Sequence, residues 1–297
     1  MRWIIKNPAP SGPDRDRWGD SSFGECLAVS LRRLRQEVRS QYFGDWESDA
    51  PADVTLVLRG KHRLVERPRG LAVLWIISHP ETVSARECAQ YGLVFAASAL
   101  HAKHLSARLG RPVHTLLQCT DSERFSMRGG VGPRRGVVFV GSSRWVERRS
   151  VLWAIEEGLP VRIWGRDWQA VVDKRFLVGD WIDNDALPEI YNRAGFTLND
   201  HWDGMRRWGY INNRVFDALA CGLPVLSDHN ETLAAMFPRS VLTFRDRAGF
   251  SRCVERMILQ HPRLLEAASR DSASVRSEHS FASRAKDLLE QVQQVLG

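Results

Sequence analysis

Short apolar, β-rich runs alternate with longer amphipathic runs along almost the whole chain. This alternation restricts the fold more than any other feature. Continuous apolar runs are strands buried on both faces, and the amphipathic segments between them are helices that cover those faces. Strands are expected at 3–5, 54–58, 71–77, 93–96 and 113–117, with helices at 21–36, 81–90 and 99–109. The segment 126–136, SMRGGVGPRRG, then breaks the pattern with glycine and arginine and no apolar period. The alternation restarts with strands at 137–140, 161–164, 196–198, 224–226 and 241–243. Helices fall at 145–157, 187–193 and 213–221, and 250–297 is nearly all helical. The expected fold class is α/β, with two Rossmann-like doubly wound domains facing across a cleft. The expected division is 1–125, a linker at 126–136, a second domain at 137–280, and a C-terminal helix at 281–297 that packs back on the first domain.

A chain of 297 residues suits two such cores. The five cysteines, at 26, 88, 119, 221 and 253, are odd in number and lack CxxC spacing, so they read as reduced thiols of a cytoplasmic protein. The start, MRWIIKNPAP, is too weakly apolar for a signal peptide, and the longest apolar run, 71–77, is far too short to span a bilayer. The formal net charge is +7, and arginine outnumbers lysine. That excess suits an anionic small ligand, a nucleic acid or an anionic membrane surface, and it selects none of them. Peripheral contact at the inner membrane face and a nucleic-acid acceptor therefore stay open.

The densest signal is GYINNRVFDALACGLPVLSD, 209–228. An amphipathic helix ends at Cys221-Gly222 and leads directly into a buried strand. Tyr210, Asn212, Asn213 and Arg214 stand at its start, where free N–H groups and the helix dipole favour phosphate. Arg214 adds a permanent cationic fork. Asp217 can accept from two vicinal hydroxyls, as a ribose presents them. The plain alternative is a polar-capped helix followed by a core strand.

This run resembles the donor-binding segment of GT-B glycosyltransferases, in particular the group 1 branch that includes the spore-maturation-protein-like enzymes. There a helix ending EAxACGxPV carries an acid that holds the nucleotide ribose, and Asp217 occupies its place. The common retaining members also carry a glutamate eight residues earlier, where this chain has Gly209. The preceding HWDGMRRWGY, 201–210, is similar to the spore-maturation-like variant, in which an Asn-Arg pair opens the helix, as Asn213-Arg214 does here. The resemblance implies sugar transfer from a nucleoside diphosphate sugar to a hydroxyl of a glycan, protein or small molecule. It further implies retention, no cofactor and no metal. A nucleotide-sugar 2-epimerase and a non-catalytic glycan- or partner-binding relative share the fold and are the alternatives.

Other positions follow. Gly141, Ser142 and Arg144 lie where a strand runs into a small-residue turn that lets backbone approach a diphosphate, and the resemblance makes them donor contacts. Arg166 ends a similar strand exit beside which a nucleobase could lie. Asp20, in WGDSSFG between the first strand and first helix, is either a base that orients an acceptor hydroxyl or the helix N-cap. His79 follows strand 71–77, and Asp200 and His201 follow strand 196–198; such strand ends line the ligand crevice, so all three are candidate catalytic residues. Trp18, Trp202 and Trp208 could stack on a sugar or base. His101 and His104 are read as an exposed helix face rather than metal ligands. Asp183-Asn184-Asp185 is read as a turn and helix cap rather than a metal motif.

Overall fold

The computed structural model describes residues 1–46, 51–66, 68, 70–130 and 132–297. Its first half runs β1 (Arg2–Pro10), α1 (Gly19–Arg33), β2 (Glu37–Phe43), β3 (Val54–Arg59), β4 (Leu71–Ile76), α2 (Ala85–Cys88), β5 (Leu93–Ala96), α3 (Ala99–Leu109) and β6 (His114–Thr115). It continues with β7 (Val137–Val140), α4 (Arg149–Glu156), β8 (Val161–Trp164), β9 (Leu177–Gly179), α5 (Leu187–Arg193), β10 (Phe196–Asn199) and α6 (Asp203–Arg207). Then come α7 (Asn213–Ala220), β11 (Val225–Asp228), α8 (Glu231–Met236), β12 (Val241–Phe244), α9 (Arg247–Leu259), α10 (His261–Glu278) and α11 (Phe281–Leu296).

Two compact units result. Unit 1 comprises Met1–Cys119, Trp202–Ile211 and His279–Gly297; unit 2 comprises Thr120–His201 and Asn212–Glu278. The chain therefore leaves the second sheet after β10, contributes a short segment to unit 1, and returns at α7. The glycine- and arginine-rich stretch 126–136 belongs to unit 2, and its Val131 lies outside the described residues.

Unit 1 is a parallel sheet in the order β2-β1-β3-β4-β5-β6. Successive side chains of a strand face opposite ways, and here both faces are apolar. Leu56, Leu58, Val73 and Trp75 pack with α1 and with Phe281, Ala285, Leu288 and Val292 of α11. Val57, Ala72, Leu74 and Ile76 pack with Ala102 and Leu105 of α3 and with Met205 and Tyr210 from the returning segment.

Unit 2 is a second parallel sheet, in the order β12-β11-β10-β7-β8-β9. Its first strand, β7, lies beside β10, so the strand order reverses between these two. That reversal is the topological switch point at which open α/β sheets bind ligands. The fold class is thus the expected one, two doubly wound α/β units.

Several local expectations are corrected. Strand β2 carries almost no apolar run, EVRSQYF, because it is an edge strand whose only buried residue is Gln41. The helix expected at 81–90 is a 3₁₀ turn, Pro80–Thr82, and the four-residue α2, capped by Ser84. The helix expected from 145 starts at Arg149, because Arg144 and Trp145 both hold left-handed backbone, φ 58°.

Candidate functional site

The site of unit 2 is built where β7 and β8 end. Gly141 has φ 155° and Gly165 φ 154°. A Cβ on Gly165 would lie 2.2 Å from the Gly141 carbonyl oxygen, so only glycine lets the two strand exits touch. The loops are stitched together. Gly141 N donates to Trp164 O (2.8 Å), Trp168 Nε1 to Gly141 O (2.8 Å), Ser143 N to Arg166 O (3.0 Å) and Arg166 N to Ser142 Oγ (3.2 Å). Arg144 and the Arg166 side chain remain exposed at the rim.

Arg214, in the first turn of α7, closes the switch point. Its Nε donates to the Val140 carbonyl at the end of β7, and its Nη1 donates to Asn199 Oδ1 at the end of β10, each at 2.9 Å. The guanidinium lies 4.7 Å from the Phe139 ring centroid, and its Nη2 stands where a Cβ on Gly141 would fall, 2.6 Å away. The sequence thus places one fixed cation over a glycine turn, beside a helix whose N-cap, Asn212, makes no side-chain capping bond. Asn213 opens that helix. An anion is the ligand such an arrangement suits.

Asp200 is buried and already engaged. Arg148 Nη1 pairs with its Oδ1 at 2.5 Å and Ser150 Oγ donates to its Oδ2 at 3.2 Å, while Arg148 Nη2 also donates to Ser142 O (2.9 Å). Asp200 therefore braces, through Arg148, the backbone of the loop after β7 rather than presenting a free carboxylate. Asn212 Nδ2 donates to the Asp200 carbonyl (3.1 Å). The side chain of the next residue, His201, is wholly buried. Its Nδ1 lies 2.7 Å from Asp228 Oδ1, and its backbone N donates to Asp228 Oδ2 (3.2 Å). Ser227 Oγ donates to Asp228 Oδ1 (3.1 Å) and accepts from Asn199 Nδ2 (2.9 Å). A continuous polar chain therefore runs from Arg214 through Asn199, Ser227 and Asp228 to His201.

Asp217 is buried one turn further along α7, where Thr120 Oγ1 donates to its Oδ1 (2.6 Å). Burial pushes this carboxyl up to about 7, against the lowering effect of the Thr120 bond.

Unit 1 holds the remaining candidates. Asn7, at the β1 end, donates through Nδ2 to Asp20 O (2.9 Å) and pins the start of α1. Asp20 is the second residue inside α1, whose N-cap is Trp18, so the capping reading is corrected. His79 follows β4 in left-handed backbone, φ 52°, with Nδ1 hydrogen-bonded to Ser78 Oγ (2.9 Å) and its ring 6.0 Å from that of Trp202. A left-handed histidine at a strand end is the kind of strain that gathers at working sites.

Tyr210 is a clear correction. It was expected against the donor because it adjoins the phosphate motif in sequence, but its side chain is fully buried in unit 1, its hydroxyl 2.7 Å from His101 Nδ1. His101 is itself buried rather than exposed, and burial pushes it down to about 4. Only His104 fits the exposed face. Trp208 packs against both histidine rings, with centroids 4.8 and 4.7 Å away. Asp183-Asn184-Asp185 forms a turn, but Ala186 is the N-cap of α5. Among the described residues no group of three or more His, Cys, Asp or Glu side chains is placed to hold a metal.

Sequence reading missed Thr120 and the pairing of Asp228 with His201. A serine and an aspartate at the end of β11, the strand next to β10, were the available signal for the second.

Two doubly wound α/β units, each on a parallel six-stranded sheet, are the architecture of the GT-B glycosyltransferase fold. Comparison agrees. Residues 144–290 match the model of the family described as glycosyl transferase-like. Over their full lengths, solved structures are similar in fold. One is AviGT4, a glycosyltransferase involved in avilamycin A biosynthesis, with 14% identity, 100% of this chain and 98% of that chain covered, and a TM-score of 0.66. Another is Anabaena HepE in complex with UDP and glucose, with 11% identity, 99% and 100% covered, and a TM-score of 0.68. A third is a DNA-modifying β-glucosyltransferase, with 13% identity, 99% and 100% covered, and a TM-score of 0.65. No curated protein sequence matches the chain significantly. The family match thus lies in residues 144–290, and the likeness to these solved glycosyltransferases is one of fold over the whole chain.

Proposed function

We propose that this protein transfers a sugar from a nucleoside diphosphate sugar to a hydroxyl acceptor, with retention and without a metal. The observation that carries this is Arg214, fixed by β7 and β10 over the Gly141 turn at the switch point of unit 2. The bond from the anomeric carbon to the diphosphate oxygen breaks, and its electron pair leaves with the diphosphate. The new bond forms to the acceptor oxygen, whose proton passes to the departing phosphate oxygen. Negative charge grows on the diphosphate in the transition state, where a preorganised guanidinium and helix N–H groups act most strongly. Gly141, Ser142, Arg144 and Arg166 are assigned to the diphosphate and its nucleoside, and Asp217 to the ribose. Asp20 and His79 are assigned to the acceptor hydroxyl, which belongs to a glycan, a protein, a small molecule or a nucleic acid. The Asn-Arg opening of α7 is the reason to place the chain in the spore-maturation-like branch.

The test is a thermal-shift panel of UDP-, GDP-, dTDP- and ADP-sugars, followed by product analysis. A ligand that binds only the native state raises stability with RT ln(1 + [L]/Kd). A stabilising donor that gives transfer product, with turnover unchanged by EDTA, supports the proposal. An epimeric product formed without acceptor, or binding with neither transfer nor hydrolysis, overturns it.

A further inference from the structure

Within unit 1, one residue of the neighbouring strand brackets His79 from both sides. Arg59 ends β3, and its backbone carbonyl accepts from Ile77 N (3.0 Å), just before the histidine. Its guanidinium reaches the residues just after, where Nη2 donates to Thr82 Oγ1 (3.2 Å) and to Thr82 O (3.3 Å). Thr82 passes the hold back to the histidine. Its Oγ1 donates to His79 O (2.9 Å), and its N donates to the same carbonyl (3.0 Å). The remaining guanidinium donors are also engaged, Nη1 by Gly60 O and Nε by Glu87 Oε1 (2.7 Å). Arg59 and Glu87 are buried, with side chains 3% and 2% exposed. In the middle of the turn, Glu81 packs against Gly204 of α6 and leaves no room for a Cβ there.

A buried ion pair is weak evidence of a stabilising role, because apolar residues of similar volume often serve as well. An apolar pair could fill this volume, but it could not tie the end of β3, helix α2 and the Pro80–Thr82 turn to one rigid group. A guanidinium does so because its donors are fixed in one planar fork. There is a strained residue to hold. His79 sits at φ 52° and ψ 46°, a conformation that persists in a non-glycine residue where its surroundings over-determine it. Ser78 Oγ, 2.9 Å from Nδ1, holds the ring, and the Arg59 brace holds the backbone that carries both residues. We infer that Arg59, fixed by Glu87 and acting through Thr82, is a positioning residue for the His79 imidazole. This rests on the sugar-transfer reading above, which assigns His79 to the acceptor hydroxyl, and deepens it. A group that acts on a reacting oxygen works only over a narrow range of positions, and the brace sets that range.

Thr82 gives the cleanest test, because it lies exposed on the turn and outside the core. Thr82→Val removes the hydroxyl with little change of shape and should keep the wild-type melting temperature closely. It is expected to lower kcat about fivefold, the worth of one hydrogen bond, with the donor KM unchanged, and Thr82→Ser should restore the rate. Arg59→Lys keeps a charge beside Glu87 but lacks the fork, and should lower kcat at least as far. Turnover is measured on whichever UDP-, GDP-, dTDP- or ADP-sugar gives transfer product. A second readout needs no substrate. The NMR signals of the His79 ring, identified by their loss in His79→Ala, should shift or broaden in Thr82→Val and return in Thr82→Ser. Wild-type kcat in Thr82→Val overturns the positioning role, as do ring signals unmoved in both Thr82→Val and Arg59→Lys. Wild-type turnover in His79→Ala overturns instead the role of His79 on which the brace depends. A wild type that transfers from none of these donors overturns the sugar-transfer reading itself.

Discussion

Arg148 and Asp200 form an ion pair inside unit 2, with side chains 8% and 10% exposed, and Ser150 takes the second carboxylate oxygen. A pair so placed braces structure. Removing one partner strands the other charge in the interior, which typically costs about 3–5 kcal/mol. Asp200→Ala is therefore expected to lower unfolding free energy by about 3 kcal/mol in a urea titration. A variant of wild-type stability that has lost turnover would instead make Asp200 a catalytic group.

Gly141 and Gly165 are expected to fail differently when each is changed to alanine. At Gly141 the new methyl meets the end of a side chain, Arg214 Nη2 at 2.6 Å; at Gly165 it meets backbone, the Gly141 oxygen at 2.2 Å. Gly141→Ala should displace the guanidinium and weaken diphosphate binding about tenfold, and its strained φ of 155° should lower the melting temperature, though less than Gly165→Ala does. Gly165→Ala should force the strand exits apart and destabilise unit 2. Thermal melts with and without UDP distinguish the two, and equal behaviour would refute the account.

Asp217 gives a pH dependence whose sign is fixed. Burial raises its folded-state value from 3.8 to about 7. A carboxyl raised on folding contributes stability in full below its unfolded value, and loses it as pH rises through the folded value. Asp217→Asn keeps the shape and an acceptor for Thr120 without the charge. It should match wild type near pH 4 and exceed it in stability by pH 8, as read by denaturant melts at both. A variant no more stable at pH 8 would show that the carboxylate is well solvated or paired when ionised.

Tyr210→Phe separates a packing role in unit 1 from contact with a nucleotide. The phenol bonds His101 inside unit 1, so its loss should cost about 1 kcal/mol of stability and leave nucleotide affinity unchanged. A tenfold weakening of UDP binding with unchanged stability would return Tyr210 to the donor site.

Much of this was legible from residues alone, for physical reasons that differ by element. Strands β5, β7 and β8 and helix α3 appear at their expected bounds because buried parallel strands and a helix capped by Ser98 and Gly110 write themselves as apolar runs and punctuation. Strand β2 and helix α6 were silent, since an exposed edge strand and a five-residue helix carry no period. At the site, Arg214 and Gly141 were legible as chemistry in sequence order. The Asp228–His201 pair was not, because it joins two strand ends 27 residues apart. Tyr210 misled for the converse reason: adjacency in sequence to Asn212 hides the fact that the chain changes unit between them.

That change of unit bears on modularity. Met205 and Tyr210 fill the core beside β4 and β5, and Phe281, Ala285, Leu288 and Val292 fill the core beside α1. A cut after Cys119 would deprive the first unit of both sets and uncover part of each apolar face of its sheet. No single crossover between two genes could exchange one half of this protein intact. Unit 2 has to be inherited together with two pieces of its neighbour's interior, so new properties of either unit are expected to arise by substitution within a chain rather than by trading halves.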